Sequence, residues 1–139
     1  MRAVGFSRLG GTVVAGHGVA SGRGGDGRFP GGTLGMQIPV FLEAGIDLRG
    51  YYKGTLNVSV APYGIRVVGA KRTLRGVVWK DGYAAEDFSF VECGLWVGGV
   101  RHEGLVYWPH PETKPEHFQD PSVVEVLAGW IVGVEVGVG

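Results

Sequence analysis

Glycine interrupts this chain so often that no long helix fits between the breaks. There are 27 glycines in 139 residues, far above the usual share of about 7%. They keep no three-residue period, which excludes a collagen-like helix. The runs between them are short and apolar or alternating, as in strands joined by tight turns. Strands are expected over 11–15, 55–60, 65–68, 76–79, 88–91, 95–97 and 104–108. Gly98-Gly99 reads as a hairpin turn, and the spaced valines Val132, Val134, Val136 and Val138 fit a last strand.

Two short helices complete the pattern. In the first, Ile38, Phe41 and Leu42 have helical spacing, Pro39 suits the first turn and Gly45 the position just past the end. The second is expected to start at Asp120-Pro121, as N-cap and first helical residue, or one register later with Ser122 and Glu125 as a capping box. Val123, Val124 and Leu127 would form its apolar face. Many short strands with two short helices predict a mostly β fold, a small barrel or sandwich, and argue against a doubly wound α/β sheet.

The chain length suits one domain over 1–139, with a 45% hydrophobic composition adequate for a core without disulfides. The formal charge is zero, so no basic field points to nucleic acid. Cys93 is the sole cysteine and has no partner for an internal disulfide, which suits a reducing compartment. It reads as core filler rather than as a nucleophile. The most apolar stretch, 123–138, is broken by Glu125 and Glu135 and makes a poor membrane span. No leader segment is visible, and a cytoplasmic location is expected.

Several groups of residues suggest chemistry. In a strand over 55–60, Leu56, Val58 and Val60 share one face, and Thr55, Asn57 and Ser59 share the other. A hydroxyl and a carboxamide oxygen held side by side can ligate Mg²⁺, which takes oxygen donors and completes its shell with water and phosphates. The same face also reads as a plain solvated strand surface. The glycine-rich stretch from Gly16 matches neither a dinucleotide fingerprint nor a P-loop, because Ser21 stands at the last glycine position and no Gly-Lys-Ser/Thr occurs. Its backbone can still approach phosphate closely, with Ser21, Arg23 and Arg28 adding a hydroxyl and charge. His110, Glu112, Glu116, His117 and Asp120 resemble a metal cluster in composition, but their spacing matches no zinc signature; a substrate-binding loop fits them better. Glu125, flanked by valines and Leu127, is placed either as a partly buried general base or as a solvated residue on an outer helix face. Tyr51, Tyr52, Tyr107 and Trp108 suit core packing, or stacking on a flat ring.

Taken in order, these segments resemble the archaeal CTP-dependent riboflavin kinase family. The matches are G-x-V-V-x-G-x-G at 11–18, G-T-L-N at 54–57, E-D-F at 86–88, E-G-x-V-x-x-P at 103–109, Thr113 after a proline loop, and V-V-E-V-L-A at 123–128. The resemblance implies a cradle-loop β-barrel that transfers the γ-phosphoryl of CTP to riboflavin, giving FMN. It implies that Gly16, His17, Gly18, Val19, Ala20 and Ser21 hold the nucleotide and that Thr55 and Asn57 ligate Mg²⁺. Thr113 and Glu125 would bind the flavin, Glu125 also serving as the catalytic group at the attacking hydroxyl. The chain departs from the family in a longer segment between Thr113 and Glu125 and in Ala20, where the family has a further glycine. It also lacks the family's Leu-Arg segment after Ala128. The alternative expectation is therefore a non-catalytic flavin- or nucleotide-binding module of the same fold.

Overall fold

The computed structural model describes residues 8–14, 33–113, 120–129 and 131. In chain order the elements are β1 (Thr12–Val14), α1 (Thr33–Glu43), β2 (Leu56–Ser59), β3 (Arg72–Val77), β4 (Glu86–Val97), β5 (Val100–Pro109) and β6 (Val123–Ala128). The strands form one sheet in the order β1-β2-β6-β5-β4-β3, and every neighbouring pair is antiparallel. The mostly β expectation holds. In the described residues β1 and β3 are the two edges, so hydrogen bonding leaves the sheet open.

The second expected helix is a strand. Residues 123–128 form β6, which lies between β2 and β5, and Glu125 therefore projects from a strand. The reason is burial on both faces. Val124, Val126 and Ala128 belong to one apolar cluster with Leu56, Val60 and Ile131. Leu127 belongs to the other, with Phe88, Phe90, Leu105 and Tyr107. A strand covered on both sides reads as a nearly continuous apolar run, which periodicity alone cannot tell from a helical turn. Asp120 does not cap a helix either. Its Oδ1 accepts from the Ser122 N–H and hydroxyl, both at 2.8 Å, turning the chain into β6. Those bonds hold the Asp120 carboxyl below its ordinary pKa.

Helix α1 exists but starts four residues before the expected Gln37, leaving Pro39 inside it. Leu34, Gln37, Ile38 and Phe41 recur at helical spacing and are all buried. The C-terminus is a Schellman motif. Ile46 N–H donates to Phe41 C=O (2.9 Å) and Gly45 N–H to Leu42 C=O (3.0 Å), with Gly45 at φ 98°. Phe41 then lies edge-on to Phe88, with centroids 4.9 Å apart, and to Phe90 at 5.4 Å. This seats α1 on the face formed by β4, β5 and β6.

The remaining differences are local. Residues 65–68 are not a strand; Ile65 N–H donates to Pro121 C=O at 2.7 Å instead. The strand expected at 76–79 lies earlier, at β3, whose pairing with β4 shifts register between Leu74 and Val77. Gly76 (φ 64°) occupies that irregularity. Residues 88–91 and 95–97 are parts of the single strand β4, which runs straight through Gly94. The expected last strand falls outside the described residues.

Gly98 and Gly99 form the predicted two-residue turn, with φ 56° and 80°, between the paired residues Val97 and Val100. Positive φ at both positions is the type I′ requirement. A Gly99→Val variant is expected to be destabilised by about 1–3 kcal/mol, measured as a lowered urea midpoint at constant slope. Gly50→Ala, at a glycine with open space and no positive φ, should change little by comparison.

Candidate functional site

Strand pairing brings together three of the sequence-predicted site residues. Asn57 on β2 lies directly opposite Glu125 on β6. In an antiparallel pair such residues have Cβ atoms about 5 Å apart on one face. Thr55, two positions earlier on the same face, donates from Oγ1 to Glu125 Oε1 at 3.1 Å. Leu56, Val58 and Val60 turn the other way, into the second apolar cluster. The alternation expected over 55–60 is therefore observed, but the polar face is not solvated: Thr55 is 0% exposed and Asn57 2%.

The row continues into β5 and α1. Tyr107 donates its hydroxyl to Gln37 Oε1 at 2.6 Å. Burial pushes the Tyr107 phenol well above its ordinary pKa, and the nearby carboxylates of Glu125 and Glu86 push it further. Tyr107 is thus a neutral hydrogen-bond donor throughout the working range of pH. Glu86 is itself buried and accepts from Trp79 Nε1 at 2.7 Å. The result is a polar row in which Thr55, Asn57, Tyr107 and Gln37 are buried and Glu125 is half-buried, bordered by the aromatic core.

The oxygens of Thr55, Asn57 and Glu125 comprise a hydroxyl, a carboxamide and a carboxylate. That set suits a hard cation that keeps water or phosphate in its remaining positions. The residues fit Mg²⁺ by donor chemistry. Gln37 was not identified from sequence as a site residue, and Tyr107 was expected only in core packing or stacking on a flat ring. Gln37 left one sequence signal, as the polar residue on the apolar stripe formed by Leu34, Ile38 and Phe41.

Thr113 belongs to a different corner. Its Oγ1 accepts from Asp87 N–H at 2.9 Å and donates to His110 C=O at 3.1 Å. His110 N–H in turn donates to Asp87 C=O at 2.8 Å. The turn that ends β5 is thereby clamped to the start of β4. The contacts of Thr113 lie there, and none of them joins it to Glu125. The predicted phosphate loop of Gly16, His17, Gly18, Val19, Ala20 and Ser21 lies outside the described residues, as do Glu116 and His117.

The same corner holds a carboxylate–imidazole–hydroxyl chain. Glu112 Oε1 lies 2.9 Å from His110 Nδ1, and Ser89 Oγ lies 2.6 Å from His110 Nε2. It resembles a hydrolase triad in connectivity, but Ser89 is only 2% exposed. Its hydroxyl also lies 2.8 Å from Thr73 Oγ1, which contacts Ala70 C=O at 2.9 Å, so the would-be nucleophile is packed inside the fold rather than presented to a substrate.

Cys93 is half-buried, and burial raises its thiol pKa, the reverse of what an activated nucleophile needs. Among the described residues, no helix is long and apolar enough to cross a membrane.

No protein-family model, curated protein or solved structure matches this chain.

Proposed function

We propose that the chain is a Mg²⁺-dependent phosphotransferase acting on riboflavin or a similar hydroxylated acceptor, with a nucleoside triphosphate, CTP first, as donor. The observation that carries the reading is the Thr55–Asn57–Glu125 row. Two residues that the riboflavin kinase resemblance assigns to the metal, and one that it assigns to the acceptor, meet across a single strand pair although Thr55 and Glu125 are 70 positions apart.

In this reading Thr55, Asn57 and Glu125 hold the cation, which when bound neutralises charge on the phosphates. Glu125 also accepts the proton of the acceptor hydroxyl as its oxygen bonds the γ-phosphorus and the β,γ-bridging P–O bond breaks, releasing the nucleoside diphosphate. Thr55 Oγ1 fixes the Glu125 carboxylate on one side, and the neutral Tyr107, held by Gln37, forms the wall beside it. Phosphoryl transfer depends mainly on in-line positioning and charge neutralisation. A preformed oxygen set on paired strands supplies positioning better than a loop does.

The burial of Thr55 and Asn57 favours a second reading, a non-catalytic flavin- or nucleotide-binding module. Such a module would retain the row as a fixed polar wall.

The metal assignment is tested with Asn57→Ala. At limiting Mg²⁺ its rate of FMN formation should drop about tenfold or more, with partial recovery at high Mg²⁺. An unchanged Mg²⁺ dependence removes Asn57 from the metal site. Riboflavin binding without turnover under any nucleotide supports the module instead.

A further inference from the structure

At the β4–β5 corner His110 is held on both sides: Nε2 lies 2.6 Å from Ser89 Oγ and Nδ1 lies 2.9 Å from Glu112 Oε1. The Asp87 carboxylate reaches the same corner from the start of β4, so an imidazole nitrogen and two carboxylates converge there.

We infer that Asp87, His110 and Glu112 form a binding site for a divalent transition-metal ion of the Zn²⁺ class, separate from the Thr55–Asn57–Glu125 row. One ligand atom from each of the three lies within 4.8 Å of the others. Tetrahedral ligands at about 2.0–2.2 Å from one ion stand about 3.4 Å apart, so the widest separation closes by about an ångström or more. Rotation of the Glu112 side chain, 66% exposed, and release of Asp87 from the exposed Arg75 allow that movement.

The surroundings match those of a metal-bound histidine. Such a ring donates its other N–H to a fixed acceptor, which sets tautomer and orientation. Here Ser89 Oγ, 2.6 Å from Nε2, can serve as that acceptor; it is buried and held against Thr73. Asp87 is aimed by its neighbours: Oδ1 accepts from Gly76 N–H at 2.8 Å, while Oδ2 meets Arg75 Nη1 at 3.3 Å. The Arg75 side chain is largely exposed and can yield Oδ2 to an ion. One imidazole and two carboxylates suit Zn²⁺, Co²⁺ or Mn²⁺ better than Mg²⁺. Three protein ligands leave a position for water or an anionic ligand.

The full chain is titrated with Co²⁺ at pH 7.5 in excess Mg²⁺, which occupies the Thr55–Asn57–Glu125 row, following the visible absorption, and Zn²⁺ is then added in competition. One saturable site per chain is expected, with Zn²⁺ displacing Co²⁺. Glu112→Gln and Asp87→Asn should each weaken binding by about tenfold or more, while His102→Ala and Asn57→Ala leave it unchanged. Glu112 is exposed, so its variant tests the site without risk to the fold. Absence of saturable binding overturns the inference. So does binding that survives Glu112→Gln and Asp87→Asn, or that is lost in Asn57→Ala or His117→Ala instead.

Discussion

Glu125→Gln is expected to lower FMN formation by about 10²–10⁴-fold, the usual range for loss of a general base, while leaving the melting temperature nearly unchanged. The substitution keeps side-chain length, and the amide oxygen can still accept the Thr55 hydroxyl that now meets Oε1 at 3.1 Å. It removes the charge and the ability to take up a proton. The row around Asn57, Thr55 and Tyr107 should therefore stay assembled but inert. Initial rates at saturating Mg²⁺, with a thermal melt on the same samples, separate the two roles. A lowered melt with an unchanged rate would make Glu125 a structural residue.

Phe41→Ala should produce the largest loss of stability, about 3–5 kcal/mol. Phe41 is fully buried and contacts both Phe88 and Phe90 edge-on. It also supplies the carbonyl that closes the helix terminus onto Ile46 N–H. Truncation removes the side chain that joins α1 to β4 and leaves a cavity lined by aromatic rings. Against a total stability of about 5–15 kcal/mol for a domain, much of the margin disappears. Urea unfolding should show a much lower midpoint with an unchanged slope. The neighbouring Leu42→Ala, at a side chain facing outward and 37% exposed, should cost far less. Equal effects at the two positions would contradict the seating of α1 on the sheet.

What could be read from the sequence was the local chemistry with a short-range signature. The alternation of 55–60 correctly separated the polar and apolar faces of β2. Gly45 and Gly98-Gly99 marked a helix end and a hairpin, because positive φ there leaves few other choices of residue. The segment 123–128 was misread because periodicity vanishes when both faces of a strand are buried. Its β-branched valines at 123, 124 and 126 were the usable signal for a strand. Residues 65–68 showed the opposite error, a valine- and isoleucine-rich run that is not a strand and whose Ile65 N–H donates to Pro121 C=O before β6.

The site was legible as residue types but not as an assembly. Thr55, Asn57 and Glu125 were each identified, yet their meeting depends on β6 lying between β2 and β5, a long-range pairing with no local code. The Asp87–His110 corner was half visible. His110 and Glu112 were noticed as possible ligands, but Asp87 joins them only through the pairing of β4 with β5, where Phe88 lies opposite Pro109. The expected neighbours of His110, Glu116 and His117, lie outside the described residues. Thr113 illustrates the limit of carrying a role over by order alone. Its hydroxyl serves the backbone of Asp87 and His110, and its contacts do not place it beside Glu125.

The most direct test of the phosphotransferase reading is a product assay. The purified chain is incubated with riboflavin, Mg²⁺ and CTP, ATP, GTP or UTP in separate reactions, and FMN is sought by chromatography. FMN is expected with one of these nucleotides, CTP first, and its loss is expected in Glu125→Gln. Folded protein that makes no FMN with any of the four would contradict riboflavin kinase activity.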